Sequence, residues 1–379
     1  MRPVTDKAKI SRSKLAYVID ATAAPVCMIA PISSWAAAVS LYVPEDVDGM
    51  KLFLDAIPFN FYSLLTFVFI IAIGIMNFDY GAMRLHEINA ENGDLFTNGG
   101  KVDNGEEVNG NPKAKVIDLV LPIVLLIGVC VFALFYVGRC INDDGFASAN
   151  YNSSMSFAEA FSNTDATIGL LWGGFITLLL VIIYFVARRL VSFKEAMDCI
   201  PKGFIAMVPA ILILTMATTL KNMTGLLDSD LFVKNLLANA GALNNFLPAI
   251  IFLIACFIAF ATGTSWGTFG ILIPIVVPIL GAESALGVAA VSACLAGAVC
   301  GDHCSPISDT TIMSSAGAQC EHINHVSTQL PYAITVAAIS FVCYLIAGFV
   351  TKWYIVLPIG VLLVIATLFV LKMLTKKKA

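Results

Sequence analysis

The chain alternates between long apolar runs and short polar intervals, and the lengths of the runs set its architecture. A helix that crosses the hydrocarbon core of a bilayer needs about 20 mainly apolar residues. Runs of that kind lie near 15–43, 52–76, 117–138, 166–187, 203–220, 247–280, 284–316, 330–350 and 354–373. This pattern predicts an all-α, polytopic transmembrane helical bundle of about nine membrane segments. Three runs are interrupted: 15–43 by Asp20, Pro25 and Pro31, 247–280 by Gly263, Gly267 and Gly270, and 284–316 by Pro306. Irregular backbone at membrane depth is tolerated only where protein or a water-filled cavity satisfies its polar groups. The two long interrupted runs are therefore expected to be discontinuous helices or re-entrant hairpins. The stretch 221–245, with Lys221, Asp228, Asp230 and Lys234, reads as an interfacial helix or loop.

Composition agrees with that reading. Of 379 residues, 59% are hydrophobic and 13% charged, where a soluble domain averages about 25% charged. The expectation is one transmembrane transporter domain over 1–379. The net charge of −4 says little, because topology follows the positions of positive residues. Basic segments 1–14, 77–115 and 188–202 alternate with the more acidic loops 44–51 and 139–165. The positive-inside rule puts the basic segments in the cytoplasm and makes this a multi-pass protein of the cytoplasmic (inner) membrane. The tail, with Lys372, Lys376, Lys377 and Lys378, also belongs inside. Nine full crossings would leave it outside, so either one broken run is a hairpin or the number of crossings differs. Residues 86–115 are polar and rich in Gly and Asn, which predicts a flexible cytoplasmic loop. The partner is the lipid bilayer, and nothing basic or aromatic suggests nucleic acid. Nothing in the pattern sets an oligomeric state. The ten Cys lie mostly in apolar runs, where free Cys behaves as a small hydrophobe.

The candidate chemistry sits in the interruptions. Cys300-Gly-Asp-His-Cys-Ser-Pro-Ile-Ser-Asp-Thr-Thr311 brings two carboxylates, an imidazole and several hydroxyls to the end of an apolar run. An ionisable group at the bilayer centre costs roughly 2.5–3.5 kcal/mol on insertion scales, so it normally marks an ion, proton or substrate path. Asp302, Ser305 and Asp309 share one helix face at i, i+3, i+7 if the helix persists. Pro306 instead suggests a break, with Ser308, Asp309, Thr310 and Thr311 opening a second half-helix. Either geometry can turn oxygens toward one hard cation. A proton and a sodium ion can then compete for the same carboxylates. The structural alternative is a helix cap at Ser305-Pro306 or at Asp309.

Thr262, Thr264, Ser265 and Thr268, interleaved with glycines, read either as a broken helix completing that site or as close packing through small residues. Asp20, near Thr22, Ser33 and Ser34, is a weaker instance of the same pattern, within the membrane or near its interface. Asp55, Pro58 and Asn60 read as interfacial, and Trp35, Trp172 and Trp353 as packing or interface anchors. Cys300, His303, Cys304, Cys320, His322 and His325 have looser spacing than a zinc knuckle, and apolar cysteines with loop histidines account for them better. His303 fits better as a hydrogen-bond or proton partner of Asp302. A short internal similarity joins basic 5–14 plus Leu15-Ala-Tyr17 to polar 320–329 plus Leu330-Pro-Tyr332, the arrangement of inverted-topology repeats.

Gly263-Thr-Ser-Trp-Gly-Thr-Phe-Gly270, Gly301-Asp-His-Cys-Ser-Pro-Ile-Ser-Asp-Thr-Thr311 and His322-Ile-Asn-His-Val-Ser-Thr-Gln-Leu-Pro-Tyr332 resemble the NhaC-type sodium/proton antiporter family of the ion transporter superfamily. The opening Met1-Arg-Pro-Val-Thr-Asp6, with Ala23-Ala-Pro25 and Ala30-Pro-Ile-Ser-Ser-Trp35, looks like the region after that family's first-half motif. The resemblance implies secondary active exchange of sodium for protons, with no cofactor beyond the transported ions. It matches Asp302, His303, Ser305, Asp309, Thr310, Thr311, Thr264 and Ser265. Asp302 and Asp309 are then the expected sodium ligands, shared with protons. The hydroxyls supply neutral oxygen and His303 tunes protonation, with Asp20 a further candidate. Members of that family carry several more spans and an acidic motif before the position of Met1, so the chain is expected to lack its N-terminal part. Other readings remain: a sodium-coupled or exchange carrier for a small organic anion or amino-acid-related solute, an inactive truncated membrane protein, and an intramembrane aspartyl hydrolase lacking a matching Tyr-Asp partner.

Overall fold

A computed structural model describes residues 2–30, 47–97, 113–142, 145–146, 151–205 and 241–376, with a few isolated positions between them. The helices in chain order are α1 Arg2–Lys7, α2 Arg12–Ala21, α3 Ala24–Ile29, α4 Gly49–Ala56, α5 Phe61–Met76, α6 Gly81–Glu91, α7 Val116–Cys140 and α8 Phe157–Ser162. They continue with α9 Ala166–Ala187, α10 Leu247–Thr262, α11 Ser265–Leu280, α12 Ala285–Cys304, α13 Asp309–Ala318, α14 His322–Phe349 and α15 Trp353–Lys376. The remaining regular pieces are 3-10 turns at Ile57–Phe59 and Gly241–Phe246 and a hairpin of two-residue strands, Ile141–Asn142 with Gly145–Phe146.

Among the described residues, six helices are long and apolar enough to cross a membrane. A seventh span results if α4 and α5, bent by 42° at Asn60, count as one. Most of 203–220 and of 31–43 falls outside the described residues, as does most of 221–245. The expected loop 86–115 needs a correction at its start, where residues 86–91 are helical. Met83, His86 and Ala90 are buried at i, i+3, i+7, and that stripe holds the helix despite its polar surface. Residues 98–112 lie outside the described set.

The chain divides into two compact units, 32–41 with 105–211 and the remainder. In the smaller unit α7 packs along α9 through their buried strip, while Leu119, Ile127, Phe132, Leu171, Phe175 and Ile183 point outward. Such an apolar outer face suits lipid. Its one buried carboxylate among the described residues, Asp118, accepts hydrogen bonds from the Lys115 backbone N–H (2.7 Å) and the Tyr184 hydroxyl (2.6 Å) and pairs with Arg188.

The larger unit is built on α12, the most deeply buried of the spans. Its face is made of Gly, Ala, Ser and Cys, which lets other backbones come close. A Cβ at Gly297 would lie 2.7 Å from the Ala255 Cβ, and one at Gly301 2.8 Å from the Ala259 Cβ and Phe260 N. Both residue numbers rise together, so α10 and α12 run parallel.

That direction decides how 247–280 is folded. From Ala285 to Gly301, α12 advances by about 24 Å at 1.5 Å per residue. The four-residue connection 281–284 reaches at most about 14 Å. Yet Ser265, the first residue of α11, touches Asp302 near the far end of α12. Helix α11 must therefore run back beside α12, and α10–α11 is a helical hairpin with its tip at Gly263–Thr264. The run is a hairpin, one of the two forms expected from its glycines.

Helix α14 runs opposite to α12, since Gln329 bonds the His303 carbonyl at one end and Tyr344 approaches the Ser292 carbonyl (3.2 Å) at the other. Helix α2 in turn runs opposite to α14, with Asp20 against His325 and Tyr17 against Tyr332. The two tyrosines related by the internal similarity meet edge to face at 5.1 Å. An antiparallel crossing of those two helices is what inverted repeats require.

Candidate ion site at the broken helix ends

The tip of the hairpin and the end of α12 meet because each breaks by its own local rule. Helix α10 stops at Gly263, whose φ of +64° is left-handed and whose amide bonds the Ala259 carbonyl (2.8 Å). A side chain there would also strike the Ile307 backbone at 2.9 Å. Thr264 is extended and its hydroxyl caps α11 at the Gly267 amide (3.4 Å). Ser265 then starts α11 and donates to Asp302 Oδ2 (2.7 Å). Helix α12 stays regular through Cys304, leaving Asp302 and His303 in its last turn. Ser305 is extended and donates to the Phe260 carbonyl (2.8 Å), tying the end of α12 to α10. The chain resumes as α13 at Asp309, whose carboxylate accepts from the Thr310 amide (2.8 Å).

Around Asp302 the side chains are almost wholly buried. Asp20, Asp302, His303 and His325 expose 1%, 3%, 2% and 0%. Asp302 feels the charge of Asp309, and both feel that of Asp20. Among the described residues no lysine or arginine forms an ion pair with Asp302. The Ser308 hydroxyl faces the Asp302 carboxylate and lies 3.0 Å from that of Thr310. The His303 Nδ1 is 2.8 Å from the Tyr62 hydroxyl, and its ring stacks on Tyr17 at 6.0 Å. His325 Nε2 lies 3.2 Å from Asp20 Oδ2, and Thr311 stands beside the same carboxylate.

Five buried side-chain atoms here have no hydrogen-bond partner among the described residues: Asp302 Oδ1, His303 Nε2, Thr311 Oγ1, His325 Nδ1 and Gln329 Oε1. Each buried polar atom left without a partner costs about 1–3 kcal/mol. Concentrating several in one place is unfavourable for a purely structural core. It is what a site that takes up a polar guest requires. The chemistry on offer is carboxylate, hydroxyl and amide oxygen, the donor set of a hard cation.

The structure thus brings Asp20, Ser265, Asp302, His303 and Thr311 into one neighbourhood, with Asp309 half-buried at its edge. Thr264, Ser305 and Thr310 are adjacent, but their hydroxyls point to Gly267, Phe260 and Ser308. Tyr62 and Gln329 belong to the neighbourhood and were not singled out by sequence, and His325, weighed there only as a loop histidine, joins them. Two of them carried a signal, because His325, Gln329 and Tyr332 recur at i, i+4, i+7 on the buried face of α14. The histidines do not converge as zinc ligands would. His303 goes to Tyr62, His325 to Asp20, and His322 to the Pro306 carbonyl (2.6 Å) and Ser315 (3.1 Å).

Comparison with known proteins places the chain. The profile described as the Na+/H+ antiporter family matches residues 26–349. The chain belongs to that family. The matched stretch contains every residue of the candidate site described above except Tyr17 and Asp20. An uncharacterized protein of Haemophilus influenzae is 37% identical over 359 residues, which is 92% of this chain and 66% of that protein. An arginine/ornithine antiporter of Halobacterium salinarum is 33% identical over 112 residues, 28% of this chain and 22% of its own. A malate-2H(+)/Na(+)-lactate antiporter of Bacillus subtilis is 32% identical over 112 residues, 27% and 23% of the two chains. The chain therefore spans about two thirds of the first relative and about a quarter of the other two. No solved structure matches.

Proposed function

We propose that this Na+/H+ antiporter-family chain exchanges sodium for protons across the cytoplasmic membrane by alternating access at Asp302, with the basic segments facing the cytoplasm. One observation carries the reading. Asp302 is buried at a helix break with one oxygen held by Ser265, the other unpartnered, two further carboxylates acting on it and, among the described residues, no lysine or arginine paired with it. A carboxylate so placed must find a positive guest. A proton neutralises it directly, and a sodium ion does so with help from the neighbouring oxygens. Because one group serves both, loading one ion displaces the other. In this reading Asp302 and Asp309 are the sodium ligands, Thr311 and Ser265 supply neutral oxygen, and His303 and Asp20 tune the local charge.

The names of the two partial relatives support a second reading, exchange of an organic solute. Three carboxylates favour a cationic solute such as an amino acid with a charged side chain over a dicarboxylic acid, which would need an arginine or lysine at the site. Reconstituted protein with an internal pH dye separates the two. On the sodium reading, added sodium evokes a proton signal that replacing both Asp302 and Asp309 by asparagine abolishes. Retention of the signal in that double variant sinks the assignment. A signal evoked by arginine, ornithine, malate or lactate in the absence of sodium selects the organic-solute reading.

A further inference from the structure

We infer that Gln329 is a ligand of the transported cation, its amide oxygen helping to set which ion is accepted; the inference rests on the sodium reading above. Gln329 lies two turns into α14 and exposes 0% of its surface. Its Nε2 donates to the His303 carbonyl at 2.7 Å. That carbonyl lies in the last turn of α12, where the helix leaves its carbonyls without an amide four residues on. Since a carbonyl can only accept, the amide orientation follows: the nitrogen faces His303 and the oxygen faces away from it.

That oxygen has no hydrogen-bond partner among the described residues. A structural glutamine that merely capped α12 would leave its oxygen toward water or toward a neighbouring amide. Here burial denies it water, and the other unpartnered atoms nearby include Asp302 Oδ1, one residue before His303, and His325 Nδ1, one helical turn before Gln329 on the same face. The hydrogen bond to His303, one residue along the chain from Asp302, therefore fixes a neutral, unpartnered oxygen. A neutral oxygen adds coordination without adding charge, so it discriminates among monovalent cations by distance rather than by net attraction.

The test uses the full chain in proteoliposomes with the dye readout, comparing sodium, lithium and potassium, and measures the rise in melting temperature that sodium produces in detergent. Gln329→Leu removes the oxygen, Gln329→Asn draws it back by one methylene, and Gln329→Glu keeps an oxygen in place. Gln329→Leu is expected to raise the KM for sodium at least tenfold and to erase the sodium-dependent melting shift. Gln329→Asn is expected to change the lithium-to-sodium KM ratio by several-fold. Gln329→Glu is expected to preserve the melting shift. Should Gln329→Leu not fold, Gln329→Asn decides. An unchanged sodium KM and an unchanged ion ratio in the folded variants overturn the inference and leave Gln329 as a helix cap. If the wild-type chain itself gives no sodium-evoked signal, the sodium reading fails and this inference falls with it.

Discussion

Asp118 and Asp302 are both buried carboxylates on spanning helices, exposing 7% and 3%, and they are treated in opposite ways. Asp118 has a backbone amide, a phenol and a guanidinium, so its charge is neutralised and both oxygens are engaged. It pins the start of α7 to the end of α9. Asp302 has one serine bond, a second serine hydroxyl facing it, one open oxygen and, among the described residues, no lysine or arginine paired with it. Burial alone does not separate a structural carboxylate from a working one. The difference lies in whether the protein completes the charge or leaves that to a guest.

The largest expected effect breaks the comparison at its functional end. Asp302→Asn should take sodium-evoked proton movement to the background of empty vesicles while leaving a monodisperse, folded protein in detergent. The amide can still accept from Ser265, so the fold loses little, whereas the exchangeable charge is gone. Exchange close to wild type in the folded variant would instead place Asp302 in the same class as Asp118.

Next in size is the close packing that brings Asp302 to the hairpin tip. Gly301→Ala puts a methyl 2.8 Å from the Ala259 Cβ and the Phe260 amide, contacts that backbone motion alone can relieve. Overpacking of a tight core costs about 1–3 kcal/mol. The variant should melt several degrees lower and lose exchange along with it, because α10 and its tip must move away from α12. A wild-type melting curve would show that the α10–α12 contact is looser than its geometry.

Much of this was legible in the residue pattern, and the rest has identifiable reasons for having been hidden. The helical class, most of the spans, the breaks and the 301–311 motif all follow from run length, Gly/Pro placement and buried charge. The choice between discontinuous helix and hairpin for 247–280 did not follow, because glycine permits both. Only the parallel course of α10 and α12 decides it. Asp118 went unnoticed inside an apolar run, since its partners Tyr184 and Arg188 lie some seventy residues away along the chain. Gln329 was readable only as a polar position repeating on an otherwise apolar helix face, and His325, named in the sequence among loop histidines, gave no sign there of its pairing with Asp20. Ser305 and Thr264, matched by motif, turn out to hold the helix ends together. In a broken helix, a hydroxyl that ligates an ion and one that satisfies the break look the same in sequence.

A smaller effect sharpens the comparison at its structural end. Asp118→Asn keeps the Tyr184 bond and weakens the tie to Arg188, whose side chain is 30% exposed and can turn to water. Exchange should stay close to wild type, with only a slight loss of thermal stability. A loss of exchange equal to that of Asp302→Asn would erase the distinction drawn between them.

The smallest expected effect concerns His86, which is buried like Asp302 yet hydrogen-bonded as Asp118 is. Its Nδ1 lies 3.0 Å from the Ser13 hydroxyl, joining α6 to the helix that carries Asp20. Burial holds its pKa below the ordinary value of 6.5, and the attraction of Glu87 and Asp94 opposes this only in part. The charged form is thus disfavoured in the folded state, and the unfolded chain binds more protons as pH falls below 6.5. Stability contributed by neutral His86 is therefore fully present above that value and is lost as pH drops through the depressed folded value. The ceiling on this dependence is one proton, about 1.4 kcal/mol per pH unit. Melting temperatures measured from pH 8 to pH 5 should fall more steeply for the wild type than for His86→Gln, which keeps a hydrogen-bonding side chain but cannot titrate. Identical slopes would mean that the contact between α6 and α2 opens before His86 takes up its proton.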